Sequence, residues 1–205
     1  VYLAHVITGR AQEIADALLA YISTDAGNGK LYKSTDAGTT WSVVTATFTA
    51  GASAAIVDFA GTNGARVILV NTLDGVYSYP STLAAPTHTA GGTANMEEVR
   101  GSAIAVWQNK LWVTGDPRED ATHSKARLYK SNAGSEILWT LADAIDIRDV
   151  DTRICTAVGA GMGMDITGKP TLLVCKEQSV YRVNDSGSSA YTTLHMEGAG
   201  AASQR

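Results

Sequence analysis

The 205-residue chain has only two cysteines, and their scarcity excludes two architectures. Two cysteines cannot build the disulfide framework of a small secreted domain, and without histidines at ligand spacing they make no zinc site. Cys155 and Cys175 fall on neighbouring predicted strands, where a cross-strand disulfide is geometrically allowed; two buried thiols behaving as small hydrophobes is the favoured reading. His5, His88, His123 and His195 are scattered and no pair has metal-ligand spacing, so no metal and no cofactor is expected. No apolar run approaches the roughly 18 residues of a membrane-spanning helix, so no membrane partner is expected. A net charge of −4, from 16 basic and 20 acidic residues, argues against a general nucleic-acid-binding surface. The 45% hydrophobic and 18% charged content is that of a globular chain able to bury one substantial core.

What the chain does have is glycine, 20 residues of it, and a dense turn signal in Ser34-Thr35-Asp36-Ala37-Gly38-Thr39-Thr40-Trp41. Asp36 can accept hydrogen bonds from nearby backbone N–H groups, Gly38 can take φ > 0, and Trp41 is expected to drop onto the sheet as a buried plug. The surroundings recur. An apolar-Tyr step appears at Tyr32, Tyr77, Tyr129 and Tyr181, at intervals of 45, 52 and 52 residues (77 − 32, 129 − 77, 181 − 129). Before each tyrosine lie two apolar runs: Leu3 to Ile7 and Leu18 to Ile22; Ala54 to Phe59 and Val67 to Val70; Ala103 to Trp107 and Leu111 to Val113; Ile154 to Val158 and Leu172 to Cys175. With a polar-ended fourth segment, each unit has the content of a four-stranded antiparallel propeller blade. The expected organisation is therefore all-β, a single β-propeller domain or fragment with four blades over about 1–50, 51–99, 100–150 and 151–196. The stretch 197–205 reads as a connector to a further unit.

Leu128-Tyr129-Lys130-Ser131 nearly repeats Leu31-Tyr32-Lys33-Ser34 and is followed by Asn132, Gly134 and Trp139, a degenerate copy of the turn with a wider loop. Gly61-Thr62-Asn63-Gly64 and Gln108-Asn109 read as hairpins between the first two strands of their units. In Arg10 to Leu19, Ile14, Leu18 and Leu19 have helical spacing, but the place in the repeat favours a loop or a single helical turn.

The pattern S-x-D-x-G-x-T-W resembles the Asp-box (BNR repeat) of β-propeller proteins, which implies a structural role for Ser34, Asp36, Gly38, Thr40 and Trp41, and for Ser131, Asn132, Gly134 and Trp139. Asp-boxes also occur in sialidases, so a secreted propeller that binds or hydrolyses glycans is the alternative. The sialidase R-I-P step is missing, Arg153-Ile154-Cys155 being the nearest approach. Glu97-Glu98, Glu119-Asp120 and the group Asp143, Asp146, Asp149, Asp151 read as loop charges; the last group lacks calcium-loop spacing. Gly163 to Lys169 matches G-x-x-x-x-G-K, but Pro170 stands where a phosphate loop needs Ser or Thr. No residue is therefore read as catalytic. The polar insertion Gly115 to Lys125, with Asp116, Arg118, Glu119, Asp120 and His123, is the expected contact loop, since long loops on a rigid scaffold carry binding. From Leu111 to Asn184 the order of "LWVTGDP", "ARLYKSNAG", "AIDIRDVDTRICTAVG" and "KPTLLVCKEQSVYRV" resembles structural proteins of tailed-bacteriophage tails, particularly tube, nozzle or hub components. That resemblance implies a non-enzymatic virion protein, a ring-shaped homo-oligomer with other tail proteins as its partners.

Overall fold

A computed structural model describes residues 2–7, 17–24, 27–89, 95–147, 153–164, 170–185 and 191–196. They form an all-β structure of four antiparallel sheets. The first contains β1 (Tyr2–Ile7), β2 (Ala17–Thr24), β3 (Gly27–Ser34) and β4 (Ser42–Phe48); the second β5 (Ala54–Gly61), β6 (Gly64–Asn71) and β7 (Gly75–Pro80). The third contains β8 (Ala103–Trp107), β9 (Lys110–Thr114), β10 (Arg127–Lys130) and β11 (Ile145–Asp146); the fourth β12 (Cys155–Met164), β13 (Pro170–Lys176), β14 (Val180–Asp185) and β15 (Tyr191–Met196). Within every sheet the strands lie in chain order, joined as a meander. Among the described residues the sheets are not closed on one another.

Leu18 and Leu19 belong to β2, so the helical spacing that ends there is carried by a strand; Arg10 to Asp16 lie outside the described residues. Among the described residues the second sheet has three strands instead of the expected four. Its fourth place is held by a single bridge, Ser78 to Thr87, because β7 ends at Pro80, which supplies no backbone donor, and the chain turns at once through a Leu83 N–H to Pro80 carbonyl bond. Both hairpin signals are hairpins: Gly61 pairs with Gly64, and Trp107 with Lys110 around Gln108 and Asn109 at φ +51° and +56°. Cys155 and Cys175 are not joined in a disulfide.

The sheets pack face to face in sequence, and their first strands β1, β5, β8 and β12 lie beside one another. Leu19, Tyr21, Leu31 and Val44 of the first sheet meet Val67, Leu69 and Tyr79 of the second. On the second sheet's other face Phe59, Ile68, Val70 and Val76 meet Leu111, Val113, Tyr129 and Trp139 of the third. Trp107, Trp112 and Leu128 of the third then meet Leu172, Val174, Tyr181 and Val183 of the fourth. A middle sheet covered on both faces needs apolar residues at consecutive positions, as Val67 to Val70 provide. All four repeat tyrosines occupy the third strand of their sheet, paired with Ala20, Leu69, Val113 and Val174 of the second strand. In the second, third and fourth sheets that tyrosine faces the preceding sheet.

The two turn tryptophans are not equivalent in burial. Trp139 is 1% exposed, covered by the second sheet, whereas Trp41 is 42% exposed, which corrects the expectation of a buried plug. The local chemistry is the same: Trp139 Nε1 donates to the Glu136 carbonyl at 3.2 Å and Trp41 Nε1 to the Gly38 carbonyl at 3.0 Å. What differs is the cover. Truncation of Trp139 to alanine is expected to cost about 3 to 5 kcal/mol, as other large buried aromatics do, and Trp41→Ala distinctly less. Urea unfolding of the two variants checks this; equal losses would contradict the assigned burial.

Candidate functional site

The Ser34–Trp41 turn is self-contained. The Ser34 hydroxyl donates to Asp36 Oδ1 at 2.7 Å and accepts the Gly38 N–H at 2.9 Å. Asp36 also accepts the Thr40 N–H at 2.8 Å and the Thr40 hydroxyl at 2.6 Å. Gly38 sits at φ +90°, where a side chain would be strained. The Thr40 hydroxyl and amide, with the Ser34 hydroxyl, hold the Asp36 carboxyl at about 2, below its ordinary 3.8. Every donor to that carboxylate comes from within the turn, which gives the side chain a folding role.

The corresponding loop of the third sheet is used differently: it receives a neighbour. Asn132 N–H donates to the Leu138 carbonyl, and the Gly134 carbonyl accepts both the N–H (2.7 Å) and the hydroxyl (2.6 Å) of Thr62 from the β5–β6 hairpin. Asn63 Nδ2 donates to Glu136 Oε1 at 2.9 Å, and Arg66 Nε lies 3.7 Å from the same oxygen. A Cβ on Gly61 would approach the Gly134 oxygen to 2.5 Å, so the hairpin can enter only with glycine there. The Ser131 hydroxyl accepts the Leu111 N–H at 3.0 Å, closing the base of the loop on β9. Sequence reasoning missed Asn63 and Glu136 as partners; a buried acid in a loop carries no local signal of what it will meet.

The Gly115–Lys125 insertion is built around charge. Asp116 was expected on the contact surface, but it is 0% exposed. Arg118 Nε and Nη2 donate to its two carboxylate oxygens at 3.0 and 2.8 Å, and the Tyr129 hydroxyl donates to Oδ2 at 2.8 Å. Arg118 also reaches the Glu98 carboxylate at 3.2 Å and the Glu98 carbonyl at 2.5 Å. His123 lies between two acids, its Nε2 3.1 Å from Glu98 Oε2 and its Nδ1 2.9 Å from Asp120. Burial alone would raise the Glu98 pKa; hydrogen bonds from Arg118 and His123 outweigh it and hold the carboxyl below its usual range. His123, then the Thr122 and His123 amides, hold Asp120 well below the ordinary carboxylate range. Burial, followed by the neighbouring Asp116 charge, pushes the Tyr129 phenol up. Glu119 Oε2 accepts the Lys125 N–H at 2.9 Å, and the Lys125 carbonyl accepts the Cys155 N–H at 3.0 Å. The insertion thus joins the connection before the third sheet, the third sheet itself and the start of the fourth. Its exposed tip is Pro117 and residues 119–122.

A cleft of about 290 Å³ opens beside the third sheet's loop, lined by Lys110, Lys130, Ser131, Asn132, Ala133 and Asp143. Lys130 Nζ donates to the Asp143 carbonyl at 2.6 Å. Burial depresses the Lys130 ammonium, Lys110 adding to the effect and Asp143 opposing it. Asp146 pairs with Arg127 at 2.8 and 3.1 Å, while Asp149 and Asp151 lie outside the described residues. Of the G-x-x-x-x-G-K stretch, 165–169 lie outside them too; Pro170, which follows, opens strand β13 instead of a helix. Among the described residues no group of three His, Cys, Asp or Glu side chains is placed to hold a metal ion.

A scan against protein-family models finds no match for this chain, and a search of curated proteins finds none either.

Two outcomes follow from these contacts. Arg118→Ala strands the Asp116 carboxylate in the interior and is expected to cost about 3 to 5 kcal/mol, the range for breaking one partner of a buried pair. Adding Asp116→Asn should recover part of that loss, and a double variant as unstable as the sum of the singles would count against the pairing. For Asp36 the depressed folded-state pKa means that its stabilisation of the turn is complete above about 4 and fades as the pH falls through about 2. The Thr40 amide resonance, read by NMR from about pH 5 to about 1.5 so as to span both values, should move in that window; a resonance that stays put refutes the bond.

Proposed function

We propose that the four sheets are blades of an Asp-box β-propeller, and that the chain is a non-enzymatic structural component of a bacteriophage tail, of tube, nozzle or hub type, working in the virion through protein contacts in a ring-shaped homo-oligomer. The observation that carries this reading is where the polar side chains go. Arg118 joins Asp116 and Glu98, His123 joins Glu98 and Asp120, Arg127 joins Asp146, and Asn63 joins Glu136. These pairs, among the described residues, hold the joint between the second and third sheets, the edge of the third sheet and the shape of one loop, which suits a rigid scaffold better than a reaction site with groups held ready for substrate. The S-x-D-x-G-x-T-W turn and the repeat of four tyrosine-bearing units support the propeller assignment; the order of segments from Leu111 to Asn184 supports the tail assignment. The exposed loop tip, residues 119–122, is the part of the insertion offered to partners.

The test is direct. Purified virus particles should contain the chain in a fixed copy number compatible with a ring, measured by quantitative mass spectrometry, and the isolated protein should turn over neither sialosides nor other glycosides. Glycoside turnover lost on changing a carboxylate would replace the scaffold reading with the secreted, glycan-directed one.

A further inference from the structure

Asparagine followed by glycine is the dipeptide most prone to deamidate, because glycine has no Cβ to shield its backbone nitrogen from the asparagine side chain. The sequence holds two such steps, Asn28-Gly29 and Asn63-Gly64. The fold treats them differently. Gly29 is buried within β3, paired with Phe48 of β4, and a Cβ there would meet the Tyr21 hydroxyl at 2.5 Å. A backbone packed this closely leaves little room for a ring to close on it. Asn63 and Gly64 are exposed at the tip of the β5–β6 hairpin, with Gly64 at φ +85° and open space where a Cβ would stand.

What restrains Asn63 is its dock on the third sheet's loop. Its Nδ2 donates to Glu136 Oε1 at 2.9 Å, and beside it the Thr62 N–H and hydroxyl donate to the Gly134 carbonyl at 2.7 and 2.6 Å. While these bonds stand, the carboxamide is not free to rotate onto the Gly64 nitrogen. Glu136 is 1% exposed, and its Oε2 is buried without a hydrogen-bond partner among the described residues. Arg66 Nε lies 3.7 Å from Oε1. The place suits a neutral donor. A carboxylate in the position of the Asn63 amide would face that of Glu136 across hydrogen-bond distance, with one guanidinium set against two buried negative charges.

We propose that Asn63-Gly64 is a deamidation site acting as a one-way latch on the joint between the second and third sheets: undocking of the hairpin frees Asn63 to react, and the product cannot dock again. In the undocked hairpin the Gly64 nitrogen attacks Asn63 Cγ, its proton passes through solvent to the departing nitrogen, and the Cγ–Nδ2 bond breaks with release of ammonia. Water then opens the cyclic imide at either carbonyl, leaving aspartate or, with the main chain routed through the side chain, isoaspartate. The sequence consumes water and no other reagent. Both products carry a carboxylate where Glu136 accepts a donor, and isoaspartate also lengthens the turn that joins Gly61 to Gly64. The latch goes beyond the scaffold reading and does not depend on what the chain binds.

Peptide mapping of the whole chain, incubated in mildly alkaline buffer at body temperature, tests the site. Asn63 should convert to a mixture of aspartate and isoaspartate, and Asn28 several-fold more slowly. Thr62→Ala, which removes the hydroxyl bond to Gly134 and loosens the dock, should convert several-fold faster at Asn63. Docking itself is read by NMR hydrogen exchange at the Thr62 amide, with circular dichroism to establish that each variant is folded. Asn63→Asp should lose protection there, and Asn63→Asp combined with Glu136→Gln, which returns one donor and one acceptor to the pair, should regain most of it. Conversion at Asn63 no faster than at Asn28 overturns the site, and an unchanged rate in Thr62→Ala overturns its gating by the dock. Full Thr62 protection in Asn63→Asp, or none regained in the double variant, overturns the latch. None of these results bears on the particle and glycoside tests of the scaffold reading.

Discussion

Packing one sheet's face on the next is the constraint from which the rest follows. Strand β6 shows it most clearly: Val67 and Leu69 point to the first sheet, Ile68 and Val70 to the third, and all four are fully or almost fully buried. A strand in this position has no solvent side, so polar alternation disappears and a continuous apolar run takes its place. Such a run is stable only with both neighbours present. At roughly 25 cal/mol per Å² of apolar surface, the second sheet is held by what lies on either side of it far more than by its own hydrogen-bonded ladder.

Polar groups must then be satisfied within the gaps between sheets. Asp116 is the extreme case, a carboxylate out of water entirely, bound by Arg118 and Tyr129. A buried pair of this kind contributes little net stability because both charges are desolvated, but any arrangement that separates the partners is penalised heavily. Because Arg118 also grips Glu98 from the preceding connection, the penalty falls on displacement of the third sheet relative to the second. The β5–β6 hairpin in the Asn132–Trp139 loop acts in the same sense at another place, through Thr62 and Asn63. Apolar faces supply the attraction; these polar joints fix the register.

The four sheets were legible in the sequence because period and turn chemistry are local properties. The tyrosine spacing locates the third strand of every sheet, and Gly61 to Gly64 and Gln108-Asn109 carry their hairpins in residues that tolerate positive φ. The fourth strand that the second sheet lacks among the described residues was signalled only by Pro80 and Pro86, which disfavour a paired strand there, and the brief Ser78–Thr87 bridge forms instead. Asp116 misled because a charged residue in a polar insertion reads as surface, and its burial depends on Tyr129 and Arg118 arriving from the fold. Glu98, the hub of that network, offered no signal beyond being one of two adjacent glutamates.

Trp41 and Trp139 show where local information ends. Both follow a Ser-initiated turn, and both donate the indole N–H to a carbonyl three residues back. Their turns are built from the same physics, and sequence alone treats them alike. One indole is in the core and the other is largely in water because a second sheet lies over Trp139, and burial is decided by that cover, not by the turn. A turn of this type is therefore a device for presenting an indole on one face of a sheet. Whether such an indole is buried or left in water is set by the surface that lies over it, not by the turn that presents it.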